Sequence, residues 1–371
     1  QGQLSLNYMR DFGPEFGAIS ITGSASYRDA YYLFNVENPG FAPGTNVLQA
    51  AIDAGMYIPY LCYYPGMKAF GACRMCVVEL EEGGPPGALA SCTVSVADGM
   101  VVNTKSRAVT DLRRGIMDLL LSEPPHGCLT CHRVELCGPA DLCLRHVSVN
   151  DRCVTCPKNE RCELKDTVRY LEMDMDTPLT YNNRHLSLDV KDPLWEMDMN
   201  LCIVCARCVR VCTEVRGDSA ITLQSRSGRT LIGTSQGTSL LESGCEFCGA
   251  CIDVCPTGAL VERDYKWDKA VTQVKSICPH CPVGCQMTLE ISKRNQLIRA
   301  IPGIHGAANR GQGCFKGKFG LDFVNRRERL KKPLVRRDGQ LHEATWPEAL
   351  DLVAERLSEY TSGHFALLAS P

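Results

Sequence analysis

The chain has 371 residues, 40 Lys and Arg against 42 Asp and Glu, and 23 cysteines. That length buries an ample core without disulfides, and the balanced charge leaves no basic face for nucleic acid. No apolar run approaches the ~20 residues of a membrane helix, and no charged-then-apolar leader follows Gln1. So many thiols call for a reducing setting, so a cytoplasmic location is expected.

Residues 1–30 are Gly- and Ser-rich without a clear period and are expected to form an arm. Residues 31–105 read as a small β-grasp domain. Thr45 caps a helix over 46–54 with Val47, Leu48, Ala51 and Ile52 apolar, and Gly55 stops it. Residues 77–80 and 94–102 read as strands, with Asp98-Gly99 as a hairpin turn. Cys62, Cys73, Cys76 and Cys92 lie in this unit, three of them on one long loop, and suit a [2Fe–2S] cluster. Gly71 and Ala72 leave room for backbone N–H groups to approach the sulfurs. Ser106 starts an amphipathic helix to Leu121, with Val109, Leu112, Ile116 and Leu119 on one face. It leads the helical segment 106–166 into cysteines at 128, 131, 137, 143, 153, 156 and 162. Residues 167–200 form a connector too apolar for disorder.

In 201–262 the runs C-I-V-C-A-R-C-V-R-V-C and C-E-F-C-G-A-C-I-D-V-C-P both have the spacing C-x2-C-x2-C-x3-C. This is the run of bacterial two-cluster ferredoxins, in which the fourth Cys reaches to the other cluster. Cys202, Cys205, Cys208 and Cys255 are therefore assigned to one [4Fe–4S] cubane, and Cys245, Cys248, Cys251 and Cys212 to a second. Residues 225–238 are an internal Gly/Ser/Thr-rich insertion. In 271–335, Cys278, Cys281, Cys285 and the distant Cys314 again number four, a cubane by ligand count. In 336–371 a capping box, Thr345-Trp346-Pro347-Glu348, opens a helix with Ala349, Leu350, Val353, Ala354 and Leu357 on one face. Residues 364–370 then read as a strand. One helix and one strand cannot close a parallel sheet. Either this tail docks on a partner, or the sequence is the front part of a longer subunit; the residues leave both open.

Fourteen of the 23 cysteines sit in C-x2-C pairs. Disulfides between such near neighbours would close small strained loops, whereas two thiolates at this spacing can face one metal centre. The packed quartets favour iron–sulfur over zinc, and a zinc-rich scaffold stands as the alternative from another class. No G-x-G-x-x-G, G-x4-G-K-[ST] or H-E-x-x-H occurs, so nicotinamide or flavin is expected on other subunits and no catalytic residue is assigned. The cationic residues between Arg326 and Arg337 read as a solvated or partner-facing surface.

Residues 30–262 resemble the iron–sulfur part of the large subunit of respiratory complex I and of related hydrogenases and formate dehydrogenases. The matching stretches are I-P-Y-L-C-Y (58–63), G-A-C-R-M-C-V-V-E (71–79), A-S-C-T (90–93), D-G-M-V-V-N-T (98–104) and both ferredoxin runs. Residues 275–361 resemble the iron–sulfur entry domain of molybdopterin oxidoreductases, especially formate dehydrogenases. There the matches are C-P-H-C-P-V-G-C (278–285), G-C-F-K-G (313–317) and R-L-K-K-P-L…W-P-E-A-L (329–350). The resemblance implies an α+β chain: a β-grasp [2Fe–2S] domain, a cysteine-rich helical cluster segment, a two-[4Fe–4S] ferredoxin domain and the start of a molybdopterin-oxidoreductase domain. It implies that Lys316 lies between a cubane and a pterin and assists electron passage. A molybdenum or tungsten pterin would sit on a continuation of the chain or on a partner. The implied partners are flavin- and NAD(H)-binding iron–sulfur subunits, ferredoxin or a catalytic subunit, in a hetero-oligomeric complex.

One region departs from that family, whose members carry a single His-x3-Cys-x2-Cys-x5-Cys site. Here two Cys-x2-Cys-x5-Cys runs occur, plus Cys143, and Pro124 and Val149 stand at the two His positions. Cys128, Cys131, Cys137 and Cys143 are assigned to one cubane. Cys153, Cys156 and Cys162 with His146 are assigned to another, with His126 and His132 as rivals. The inventory is one [2Fe–2S] and about five [4Fe–4S] clusters. The expected work is relay of single electrons by a subunit without its own substrate site. The alternative is the front of a molybdenum or tungsten formate dehydrogenase catalytic subunit.

Overall fold

A computed structural model describes residues 44–123, 126–131, 136–138, 141, 143, 153–174, 177–225, 229–234, 237–360 and 364. For 4–11, 18–26, 29–30, 33–35 and 126–127 it describes the backbone alone. The chain divides into two compact units, Gln1–Asp268 and Lys269–Pro371. His146 and His132 lie outside the described residues, as do the side chain of His126 and all but the first residue of the strand expected over 364–370.

In the first unit seven described strands form one sheet. They are β1 (Leu4–Asp11), β2 (Ala18–Ser26), β3 (Asp29–Ala30), β4 (Leu33–Asn35), β5 (Val77–Glu82), β6 (Gly87–Ala90) and β7 (Val101–Asn103). The order is β1-β2-β4-β7-β5-β6, with β3 paired to β2. The opening residues, which show no period in sequence, thus carry an antiparallel pair with Leu4 opposite Ala25 and Asp11 opposite Ala18. Helix α1 (Val47–Asp53) is capped by Asn46 and not by Thr45, because the Asn46 side-chain oxygen accepts from Gln49 N at 2.8 Å. The strand expected over 94–102 shrinks to β7. Ser91–Thr93 is a 3-10 turn carrying Cys92, and residues 94–96 bond to the start of α1, with Val47 N donating to Val94 O and Val96 N to Thr45 O. Asp98-Gly99 therefore turns the chain without joining two paired strands.

Helix α2 (Arg107–Leu121) starts at Ser106, whose hydroxyl accepts from Val109 N. Its buried face is Val109, Arg113, Met117 and Leu121, while Leu112 and Leu119 are exposed. The face turns away from the expected one because Arg113 is an inward anchor. Its guanidinium donates to Thr104 O at 2.8 Å and to Val77 O at 2.6 Å, tying the helix to the strand that begins just after Cys76. Met117 and Leu121 pack with Leu61, Met75, Leu129 and Leu164. This cluster joins the cysteine loop of the sheet to α3 (His126–Leu129) and α4 (Glu163–Tyr170).

The rest of the first unit is built from short pieces. Strand β8 (Trp195–Met197) pairs with β11 (Leu260–Glu262), and β9 (Thr222–Gln224) pairs with β10 (Leu231–Gly233). Helix α5 (Arg207–Arg210) runs on into a π-turn over 211–216, and α6 (Ala250–Asp253) lies within the second run. The second unit has a three-stranded sheet, β12 (Ala270–Ile277), β13 (Gln286–Ser292) and β14 (Leu297–Pro302), then α7 (Phe315–Phe319). A hairpin of β15 (Leu334–Arg337) and β16 (Gln340–Glu343) precedes α8 (Trp346–Ser358), which begins with both bonds of the Thr345/Glu348 capping box. No described helix is long and apolar enough to cross a membrane.

Candidate metal centres

A binuclear cluster has two tetrahedral irons, each taking two protein sulfurs beside two bridging sulfides, so its four cysteines must fall into two pairs. The structure pairs Cys62 with Cys73 and Cys76 with Cys92, thiol to thiol. Cys73 N donates to Cys62 Sγ and Cys62 N to Cys73 Sγ, each at 3.4 Å, and Ala72 N–H also reaches Cys62 Sγ. Gly71 makes the loop close: its φ is +67°, and a Cβ there would stand 2.9 Å from the Thr93 methyl. Within each pair one thiol is drawn down and the other pushed up. The hydrogen bond from Cys73 lowers Cys62 to about 6, and the one from Cys92 lowers Cys76 to about 7, while Cys73 and Cys92 rise. Among the described residues no three His, Cys, Asp or Glu side chains close on one point tightly enough for a single metal ion.

In the ferredoxin-like runs the two halves repeat one backbone figure. Val204 and Ala206 have φ of 52° and 58°, and the equivalent Phe247 and Gly249 have 53° and 75°. Each left-handed residue turns its neighbours' N–H groups toward the thiols, making a nest for an anionic group. Val204 N donates to Cys202 Sγ and Phe247 N to Cys245 Sγ, both at 3.3 Å. Cys202, Cys205, Cys208 and Cys255 line one small cavity of about 20 Å³. Cys245, Cys248, Cys251 and Cys212 lie within electrostatic reach of one another. Burial pushes Cys202 and Cys245 up to about 11 and Cys205 to about 12, and lifts Cys208 and Cys251 well above the ordinary thiol value. Such thiols bind metal only by losing a proton.

Cys153, Cys156 and Cys162 line a cavity of about 230 Å³ together with Leu129, Leu164 and Gly258. Burial pushes Cys162 up to about 11 and raises Cys156. The Cys128 thiol is in hydrogen-bond contact with that of Cys153. Gly258 comes so close that a Cβ on it would stand 2.5 Å from Cys156 Sγ. Cys131, Cys137 and Cys143 are half-buried, and the Cys137 thiol donates to Gly138 O at 3.8 Å.

In the second unit Cys285 feels Cys278, Cys281 and Cys314 electrostatically, and burial together with these neighbours raises its thiol. Cys278 N donates to Cys285 O at 2.9 Å, closing the C-P-H-C-P-V-G-C loop. The His280 ring and Gly320 O, 3.1 Å apart, tie the loop to the end of α7. Gly317 passes Cys278 Sγ closely enough that its absent Cβ would lie at 3.4 Å. Lys316 is exposed on α7, two residues after Cys314. Paired thiols, N–H groups directed at sulfur, and a glycine, Gly258, whose Cβ would strike a thiol all fit iron–sulfur clusters at these sites.

Three buried cations beside the thiols were not evident from the cysteine pattern. Arg207 is fully buried between the rings of Tyr60 and Tyr64, 5.7 and 5.6 Å away. Burial works against its charge, but a two-pronged pair with Glu163 at 2.8 and 2.9 Å holds it cationic. It acts on both Cys62 and Cys205. Arg210 donates to Cys62 O and Lys68 O. Lys158 Nζ donates to Ile252 O at 2.8 Å and Cys255 O at 2.7 Å. The only signal was charge inside otherwise apolar cysteine runs, A-R-C-V-R and C-P-K-N.

Known protein families match the chain in the same order. Residues 39–107 match the 2Fe-2S iron-sulfur cluster binding domain, and 192–261 the ferredoxin-like domain of NADH-quinone oxidoreductase subunit 3. Residues 271–326 match the molybdopterin oxidoreductase Fe4S4 domain, and 329–370 molybdopterin oxidoreductase. An NADH-quinone oxidoreductase subunit of Rhizobium meliloti is 33% identical over 319 residues, 85% of this chain and 34% of that protein. NADPH-Fe(3+) oxidoreductase subunit alpha of Geobacter sulfurreducens is 32% identical over 328 residues, 88% of this chain and 34% of that protein. NADH-quinone oxidoreductase subunit 3 of Thermus thermophilus is 33% identical over 344 residues, 85% of this chain and 41% of that protein. The chain thus spans roughly a third to two fifths of the length of these relatives. A solved NAD+-reducing [NiFe]-hydrogenase is similar with a TM-score of 0.47 and 28% identity, over 60% of this chain and 82% of that one. The chain thus carries in tandem segments that match a 2Fe-2S binding domain, a ferredoxin-like domain and a molybdopterin oxidoreductase Fe4S4 domain, and along most of its length it is similar to part of NADH-quinone oxidoreductase subunits.

Proposed function

We propose that this chain relays single electrons within a multi-subunit oxidoreductase, between flavin-, NAD(H)- or ferredoxin-linked partners and a catalytic centre. The observation that carries the reading is the contiguity of the thiol sets in the first unit. Arg207 acts on Cys62 of the sheet loop and on Cys205, Cys208 acts with Cys251, and Cys156 acts with Cys255. Clusters bound at these thiols supply one-electron chemistry whose ligand geometry changes little on reduction. The chain's own residues bury the thiols from water, donate N–H groups to sulfur and offset thiolate charge with Arg207 and Lys158. Lys316 is the residue proposed to assist electron passage from the Cys278–Cys314 site toward a pterin. The relatives' names as subunits support a hetero-oligomer, with flavin or nicotinamide held by other chains.

The match of residues 329–370 to molybdopterin oxidoreductase favours a second reading, in which the same relay feeds a molybdenum or tungsten pterin on this polypeptide, as in a formate dehydrogenase. Iron, acid-labile sulfide and zinc counts on anaerobically purified protein test the relay. About 22 iron and as much sulfide are expected for one binuclear and five cubane clusters. Stoichiometric zinc without sulfide would replace it with the structural scaffold.

A further inference from the structure

We infer that Cys128 is the fourth protein ligand of the group held by Cys153, Cys156 and Cys162. The inference rests on the proposal that this segment holds an iron–sulfur cluster. Spacing alone groups Cys128 with Cys131, Cys137 and Cys143, and leaves the second set in need of a histidine. Three observations regroup it. The Cys128 thiol is in hydrogen-bond contact with the Cys153 thiol, which in turn lies within electrostatic reach of Cys156 and Cys162. The next residue, Leu129, lines the same 230 Å³ cavity as those three cysteines. Leu129 is also buried with Leu164 and Val168 of α4, the helix that starts directly after Cys162, so packing fixes Cys128 at this wall. The cavity exceeds the ~150 Å³ that takes up a benzene ring in an engineered protein core, room for a multi-atom group and not just one ion. A fourth thiolate in place of a neutral imidazole adds a negative charge and lowers the cluster's potential.

The test is Cys128→Ala and Cys128→Ser in the full chain with its partners, purified without oxygen and followed by EPR redox titration. Cys156→Ala first identifies the cubane signal that depends on this segment. Cys128→Ala is expected to abolish that signal or convert it to a three-iron signal, while the signals of the binuclear site and the ferredoxin pair persist as the check on folding. Cys128→Ser is expected to keep a cubane with a shifted midpoint, and Cys131→Ala to leave the Cys156-dependent signal untouched. An unchanged Cys156-dependent signal in either Cys128 variant would overturn the assignment. So would loss of one and the same signal in Cys128→Ala and Cys131→Ala but not in Cys156→Ala, or a Cys128–Cys153 disulfide in the anaerobic protein by mass spectrometry. If Cys156→Ala loses no cluster at all, the iron–sulfur reading of the segment fails, and the ligand with it.

Discussion

Gly258 has no Cβ, and one built there would stand 2.5 Å from Cys156 Sγ. A free thiol could rotate away from the added methyl, but a thiolate bound to iron cannot. Gly258→Ala should therefore cost about 1–3 kcal/mol in the cluster-loaded protein and much less in the stripped one. The expected readout is loss of the Cys156-dependent EPR signal with the ferredoxin pair retained; equal effects on both forms would refute the close-approach argument. Arg207 poses a different question at the same scale, because a fully buried cation depends on the acid that pairs it. Glu163→Gln leaves that cation without its partner, and removing one member of a buried pair costs roughly 3 kcal/mol. Glu163 is itself 40% exposed, which keeps the figure at the low end of the range. The denaturant midpoint at which visible cluster absorbance bleaches should fall accordingly, and an unchanged midpoint would show that the pair contributes nothing. Neither residue could be singled out from the sequence. A glycine's value lies in what approaches it, and an arginine in a cysteine run looks the same whether it faces water or thiols.

Helix α2 shows how much of an element was legible. Its start at Ser106, its end near Leu121 and its amphipathic character come from local chemistry, and the structure agrees. The buried face does not, because a polar residue, Arg113, lies inside it and is satisfied by two backbone carbonyls that only the folded sheet supplies. The same limit explains β7, where the ladder yields to contacts with α1, and the Asn46 cap, one residue from the expected one. Two substitutions separate the faces. Met117→Ala empties a site in the cluster that joins the sheet loop to α4, and should destabilise the first unit by about 2–5 kcal/mol. Leu112→Ala lies on the exposed face and should stay within about 0.5 kcal/mol. Thermal bleaching of the clusters measures both, and the reverse ranking would return the helix to the face that hydrophobic spacing alone picks out.

Across the whole chain, cysteine spacing groups thiols that lie close in sequence, since geometry there is set within one loop. It is blind to approaches that depend on packing between runs without a shared motif, as between the thiols of Cys128 and Cys153. The same contrast predicts where the fold depends on its clusters. The sheet of the first unit has an apolar core of its own, with Val47, Leu48, Val78 and Val102 wholly buried behind a continuous hydrogen-bonded ladder. Strands β13 and β14 of the second unit likewise enclose Met287 and Ala300. Among the described residues of 199–257 the elements run to only three to six residues, the short β9–β10 pair included, and buried thiols stand where a core would be. Cluster binding energy must therefore act there as folding energy. Stripping iron with a chelator under reducing conditions should lower hydrogen-exchange protection over 199–257 at least ~100-fold, a loss of about 2.7 kcal/mol. Protection over 77–103 and 286–302 should change far less. Equal loss in all three stretches would mean that the clusters hold up the entire chain, and equal retention that the ferredoxin-like region folds on backbone and side-chain contacts alone.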